Sequence, residues 1–134
     1  MSLIIIPLGS CKLKLLNTFL FWFARIYFSN VNFLIDSHCH IHDNAYQLDS
    51  DIVLANAKNA NVRQLICVGT SGLDSQVAAD YVRNKPGLWA SAGLHPHDAK
   101  LGEDDLEIIA RLAVEPKVVA IGECGLDYHY DNSP

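Results

Sequence analysis

Long apolar runs, basic charge and glycine-rich signatures are all scarce in this 134-residue chain, and each scarcity removes a class of function. Ten Lys and Arg stand against fifteen Asp and Glu, for a formal charge of −5. The balance is uneven: residues 1–32 hold Lys12, Lys14 and Arg25 without an acid, and every acid falls in residues 33–134. An acidic body excludes a broad basic surface that grips nucleic acid by charge alone. If this chain meets phosphates, the positive charge must come from elsewhere, and a metal ion is the obvious source. No Cys-x-x-Cys spacing joins Cys11, Cys39, Cys67 and Cys124. Scattered cysteines read as buried thiols filling a core in a reducing compartment, so a cytoplasmic location is expected. No Gly-x-Ser-x-Gly elbow surrounds Ser71, and no phosphate loop of Walker or Rossmann type is present. Cys124 stands beside Glu123, but a cysteine nucleophile needs a positioned histidine base that spacing alone does not supply.

Residues 1–32 differ in composition from the rest. Leu3–Ile6 precede Pro7 and Gly9, and residues 15–28 are apolar except for Asn17, Thr18 and Arg25. This stretch falls short of the ~20 predominantly apolar residues that span a bilayer cleanly. It also lacks the small-x-small cleavage site of a secretory signal. Three readings compete: an interfacial anchor using Lys12, Lys14 and Arg25, a helix covering the core, or upstream sequence translated from a misplaced start. The abrupt change before Phe33 favours the third, which makes residues 1–32 an atypical extension and residues 33–134 the folded body.

The body alternates strand-like and helical patterns. Phe33–Ile35, Gln64–Val68, Leu88–Ala92 and Val118–Ile121 are short apolar runs, the last three closed by Gly69, Gly93 and Gly122. Such runs suit parallel strands buried on both faces. Between them lie helical patterns, capped at Asp49 or Ser50, at Asp74 or Ser75, and starting near Glu103-Asp104-Asp105. Strand–helix–strand alternation places every strand's C-terminal end on one rim, where α/β enzymes build their sites. All six histidines follow strands in this reading.

His38-Cys39-His40 is the most informative triplet. On extended backbone, residues i and i+2 share a side, so both imidazoles can meet one cation while Cys39 faces away. Imidazole suits zinc, iron and nickel, and a carboxylate broadens the choice to manganese. Glu123 follows another strand and can supply that carboxylate, bridging two ions. The competing reading, two surface histidines alternating on a loop, leaves the strand-terminal glutamate without a role. His42 continues the alternation and is either a ligand or a bystander. Pro96 restricts the backbone around His95, which is assigned to substrate or a metal-associated water, while His97 can simply start a helix. Asp36 can orient a ligating histidine or bond backbone amides. Asp43 reads as a solvated turn acid. Asp127, Tyr128, His129 and Tyr130 form a loop cluster with no unique assignment.

Three ordered motifs, Leu34–His40, Gly93-Leu94-His95-Pro96-His97 and Gly122–Tyr128, closely resemble those of the TatD family of metal-dependent deoxyribonucleases. The resemblance implies an α/β fold: the first half, about four βα units, of a TIM-type barrel of the metal-dependent hydrolase superfamily. It implies two divalent ions, among Mg, Mn and Zn, with His38 and His40 on one metal and Glu123 shared. Asp36 and Asp127 are expected to support the ligands, and His95 to act on the substrate. The implied reaction is exonuclease-like hydrolysis of DNA phosphodiesters, with DNA as the partner and no stable protein partner. The His42 position usually carries another residue in that family, and residues 1–32 have no counterpart there. A barrel takes about 250 residues, so the expectation is an N-terminal fragment with little or no activity alone. One alternative is a hydrolase of the same fold acting on amides, esters or lactones. Glu123 stands where many amidohydrolases place a metal-bridging lysine, which favours the nuclease branch. The other alternative is a non-catalytic half barrel that pairs through its open edge or touches a membrane through residues 1–32.

Overall fold

The computed structural model describes residues 33–45 and 49–133. The expectations for residues 1–32, with Cys11, lie outside them. Four strands, β1 (Leu34–Cys39), β2 (Val62–Val68), β3 (Leu88–Ala92) and β4 (Val118–Ile121), are joined by helices α1 (Ser50–Asn59), α2 (Gly72–Val82) and α3 (Gly102–Leu112). A 3-10 segment, Pro96–Leu101, precedes α3. All neighbouring strands are parallel, and their order across the sheet is their order in the chain. A doubly wound sheet reverses its strand order at a switch point, whereas a barrel adds each strand beside the last. The observed order is that of a barrel.

Packing explains the order. α2 lies over β2 and β3, where Leu65, Cys67, Ala78, Val82, Leu88 and Ala90 form one buried cluster. α3 lies next to it, with Ala79, Ala92, Ile109 and Leu112 forming a second. Small side chains at Ala90, Ser91 and Ala92 let β3 be covered on both faces. β1 and β4 depart from the doubly buried expectation: Leu34, Ile35 and Ile121 are exposed. The reason is their place at the two edges of the described sheet, each with one strand neighbour.

Local details also differ from the pattern read in the sequence. β1 runs on to Cys39, so Asp36 and His38 lie within the strand rather than after it. Its pairing with β2 continues to Cys39 opposite Cys67, with an irregularity between Asp36 and Cys39 that accommodates one extra residue. Bulges of this kind re-aim side chains beside functional sites. Asp49 caps α1 by accepting from Asp51 N at 2.9 Å. α2, in contrast, is capped by Ser71, whose Oγ accepts from Asp74 N at 3.2 Å, and not by Asp74 or Ser75. Both of those side chains are engaged elsewhere. Cys39 and Cys67 are core thiols as expected, but Cys124 is exposed. The Cys67 thiol is pushed well up, first by its hydrogen bond with Cys39 and then by burial. No described helix is long and apolar enough to cross a membrane.

Candidate metal centre

The strand rim brings together residues far apart in sequence. His38 leaves β1 and His40 follows it, with their Nε2 atoms 3.2 Å apart and their rings edge to face. Glu123, just beyond β4, sets Oε2 3.5 Å from His38 Nε2 and Oε1 3.6 Å from His95 Nε2. The carboxylate therefore stands between a histidine of the first strand and one from beyond the third. One donor atom each from His38, His40 and Glu123 falls within 4.8 Å of the others. Two imidazole nitrogens and a carboxylate oxygen so close fit a divalent cation of the borderline class. The alternating expectation holds on the far side of β1 too, since Cys39 turns into the core and its Sγ donates to Ile66 O at 3.3 Å.

Backbone contacts place these side chains. Glu123 N donates to Gly69 O at 3.4 Å, and Gly122 N donates to Ala92 O at 2.9 Å. Gly122 has φ +151°, a region that other residues rarely adopt. Gly93 passes so close to Gly122 and Glu123 that a Cβ there would meet Glu123 O at 2.5 Å and Glu123 N at 2.6 Å. The glycine at the end of β3 is thus what admits the glutamate. His95 N donates to Thr70 O at 2.7 Å. Its Nδ1 accepts from His97 N at 3.1 Å, which leaves Nε2 as the proton-bearing nitrogen of the neutral ring, directed at Glu123.

Asp36 accepts from the backbone N of His38 at 3.0 Å, holding the bulged strand rather than an imidazole. Asp127 closes a turn, its Oδ1 accepting from His129 N at 2.8 Å and Tyr130 N at 3.2 Å. Those backbone donors, His129 first, hold its carboxyl below the usual range against the opposing effect of desolvation, with His97 and His95 adding to the depression. His97 Nε2 is 3.2 Å from Asp127 Oδ2, and its ring meets those of His95 and Tyr130 edge to face. His97 lies in the 3-10 segment that His95 caps. Asp43 is an exposed turn acid accepting from Ala45 N, as read from the sequence.

Of the two readings of His42, ligand or bystander, the structure favours the second: its ring lies 6.0 Å from that of His40 but it is not one of the donor group His38, His40 and Glu123. Its side chain is buried, 4% exposed as a residue, with Nε2 3.2 Å from Asp74 Oδ1. Asp74 Oδ2 meanwhile accepts from Thr70 N at 2.9 Å and Thr70 Oγ1 at 3.0 Å. Burial raises the Asp74 carboxyl, but the hydrogen bonds from His42 and Thr70 outweigh it and hold the group below its ordinary value. The pairing spans 32 positions, and no local pattern announces it. The available signals were the strand alternation that runs through His42 and an acid three residues after a capping serine.

Comparison with known proteins places these features. A family model described as TatD related DNase matches residues 35–134. The chain is 40% identical over 97 residues to the 3′-5′ ssDNA/RNA exonuclease TatD of Cronobacter turicensis, covering 72% of this chain and 37% of that protein. It is 38% identical over 102 residues to YabD of Bacillus subtilis, an uncharacterized metal-dependent hydrolase, covering 75% and 40%. Among solved structures, YJJV, a TatD homolog from Escherichia coli, superposes with a TM-score of 0.64 at 32% identity, over 74% of this chain and 39% of that one. The chain thus spans about two fifths of the length of these relatives.

Proposed function

The chain belongs to the TatD family, its four parallel strands and three connecting helices are part of a TIM-type barrel, and we propose that they carry the metal-binding rim of a nucleic-acid phosphodiesterase. The reading assigns His38, His40 and Glu123 as ligands of a divalent ion and His95 as the residue that meets the substrate. The carrying observation is the convergence of those three donor groups from both ends of the sheet within 4.8 Å.

When bound, a divalent ion supplies Lewis-acid polarisation of a phosphoryl oxygen and a lowered pKa for water. The protein's own groups do the rest. His38 and His40 present imidazole lone pairs on one side of β1. Glu123 turns one carboxylate oxygen toward His38 and the other toward His95, an arrangement suited to sharing between two ions. His95 offers an Nε2 proton to a phosphate oxygen or to the attacking water, with its Nδ1 already satisfied by His97 N. Fifteen acids in the body make a resident cation the natural source of attraction for a polyanion, consistent with cytoplasmic DNA as the substrate. The curated relative from Cronobacter turicensis is named for single-stranded DNA and RNA, and single-stranded DNA is the substrate class to test first.

Two measurements test the reading. Calorimetric titration with Mn2+ or Zn2+ is expected to show saturable uptake that His40→Ala removes. In a form extended to the length of its relatives, release of nucleotides from a 3′-labelled single-stranded oligodeoxynucleotide is expected to need the metal and to vanish in His40→Ala. Equal uptake by the variant, or turnover confined to amide, ester or lactone substrates, overturns the assignment.

A further inference from the structure

We propose that Asp74, on the first turn of α2, is the positioning residue that holds the rim residues of β1, β3 and β4 in register, although it contributes no donor to the metal group. The inference rests on the functional reading above and adds to it a residue that touches neither ion nor substrate. One oxygen of Asp74 takes the buried His42 imidazole, two residues beyond His40. The other takes both the backbone N and the hydroxyl of Thr70 at the end of β2. The Gly69-Thr70 segment so fixed is what the rim hangs on: Thr70 O receives His95 N at 2.7 Å, and Gly69 O receives Glu123 N at 3.4 Å.

The next residue of the helix completes the arrangement. Buried Ser75 accepts from Gly93 N at 3.1 Å through Oγ, fixing the β3 terminus against which Glu123 packs. Gly69 approaches Ser75 so closely that a Cβ there would overlap it. The helix turn itself is anchored from α3, because Asp105 accepts from Gly72 N. Asp74 is therefore connected to His40 through His42, to His95 through Thr70, and to Glu123 through Gly69. Among the described residues His42 Nδ1 has no hydrogen-bond partner and is buried, so the Asp74 contact is the polar interaction they supply to this ring. A carboxylate sharing two strand ends fixes a distance that neither strand sets alone, and ligands kept in place this way lose affinity when the support is removed.

The test uses the full 134-residue chain and three variants. In the metal-free protein, the imidazole Cε1–H signal of His95 and the backbone amide signal of Glu123 are followed by NMR; Zn2+ affinity is then measured by calorimetry. Asp74→Ala is expected to move both signals and to weaken Zn2+ binding roughly 10–100-fold. Thr70→Val, which keeps the shape and deletes one hydrogen bond, moves them in the same direction by less. His42→Gln, whose amide can donate to the same oxygen, stays close to the wild-type values. A purely structural role lowers the unfolding midpoint and leaves His95, Glu123 and the Zn2+ affinity unchanged in folded variants, and that result overturns the proposal. Should Asp74→Ala fail to fold, Thr70→Val decides alone. Because the signals are read without metal, they separate this inference from the functional one. Responsive His95 and Glu123 in the metal-free chain uphold the positioning role even where a form extended to the length of its relatives cleaves no nucleic acid and the nuclease reading fails.

Discussion

Replacing Gly93 with alanine probes the metal centre without touching any donor. The new Cβ would lie 2.5 Å from Glu123 O and 2.6 Å from Glu123 N, where ordinary contact begins at 3.4 Å. Every opposing atom is backbone, so no rotamer change relieves the overlap, and the segment after β4 must retreat by about 0.9 Å, the difference between 2.5 and 3.4 Å. Metal–ligand distances tolerate about ±0.2 Å. A retreat several times larger withdraws the carboxylate from His38 and His40, and Zn2+ affinity is expected to fall roughly 10–100-fold, about 1.4–2.8 kcal/mol. Overpacking should also cost about 1–3 kcal/mol of stability. Gly102→Ala is the matched control: its Cβ meets nothing within 4 Å, but φ is +66°. With ψ at −144° the residue lies outside the left-handed helical region, in one that favours glycine, and the backbone penalty is about 1–3 kcal/mol, with metal affinity unchanged. Calorimetric titration of both variants, with thermal unfolding to establish that they are folded, reads the difference. A folded Gly93→Ala variant that binds Zn2+ as tightly as the wild type refutes the claim that this glycine admits Glu123 to the site.

Three further outcomes are expected from the burial and hydrogen bonding described above. Asp74 has its carboxyl held below 3.8 in the folded protein, so its contribution is fully present above that value and is lost as pH falls through the lower folded value. The stability gap between wild type and Asp74→Asn, measured by denaturant unfolding, should accordingly be widest near neutrality and narrow as pH falls below the ordinary carboxylate range; a constant gap contradicts it. Leu112 is fully buried between α3, α2 and β3, and Leu112→Ala should cost about 2–5 kcal/mol in the same assay, with a loss under about 1 kcal/mol refuting the packing. Alkylation at mildly alkaline pH, followed by peptide mass spectrometry, should modify exposed Cys124 well before buried Cys67, whose thiol is raised; equal rates would be inconsistent with the core.

The parts of the fold that could be read from the sequence are those encoded locally. Apolar runs ending at Gly69, Gly93 and Gly122 mark strand ends because a parallel strand needs continuous apolar cover and its terminus needs a turn. The pattern predicts a cap at Asp74 or Ser75 while the structure uses Ser71, and all three are capping types. Only the tertiary contacts of Asp74 with His42 and of Ser75 with Gly93 leave Ser71 free to cap. β1 extends beyond its apolar run because pairing with β2, rather than hydropathy, carries its polar last residues to Cys39. His38, His40, His95 and Glu123 stood out because their residue types are chemically specific and their positions follow strands. Their spacing did not, since it depends on Gly69, Thr70, Gly93 and Gly122, which carry no chemical signature and act through backbone contacts. A donor set legible in the sequence thus becomes a centre only through glycines that permit close approach and a helix turn that holds two strand ends. For that reason, substitutions at those quiet positions are the sharpest means of separating the placement of the site from its chemistry.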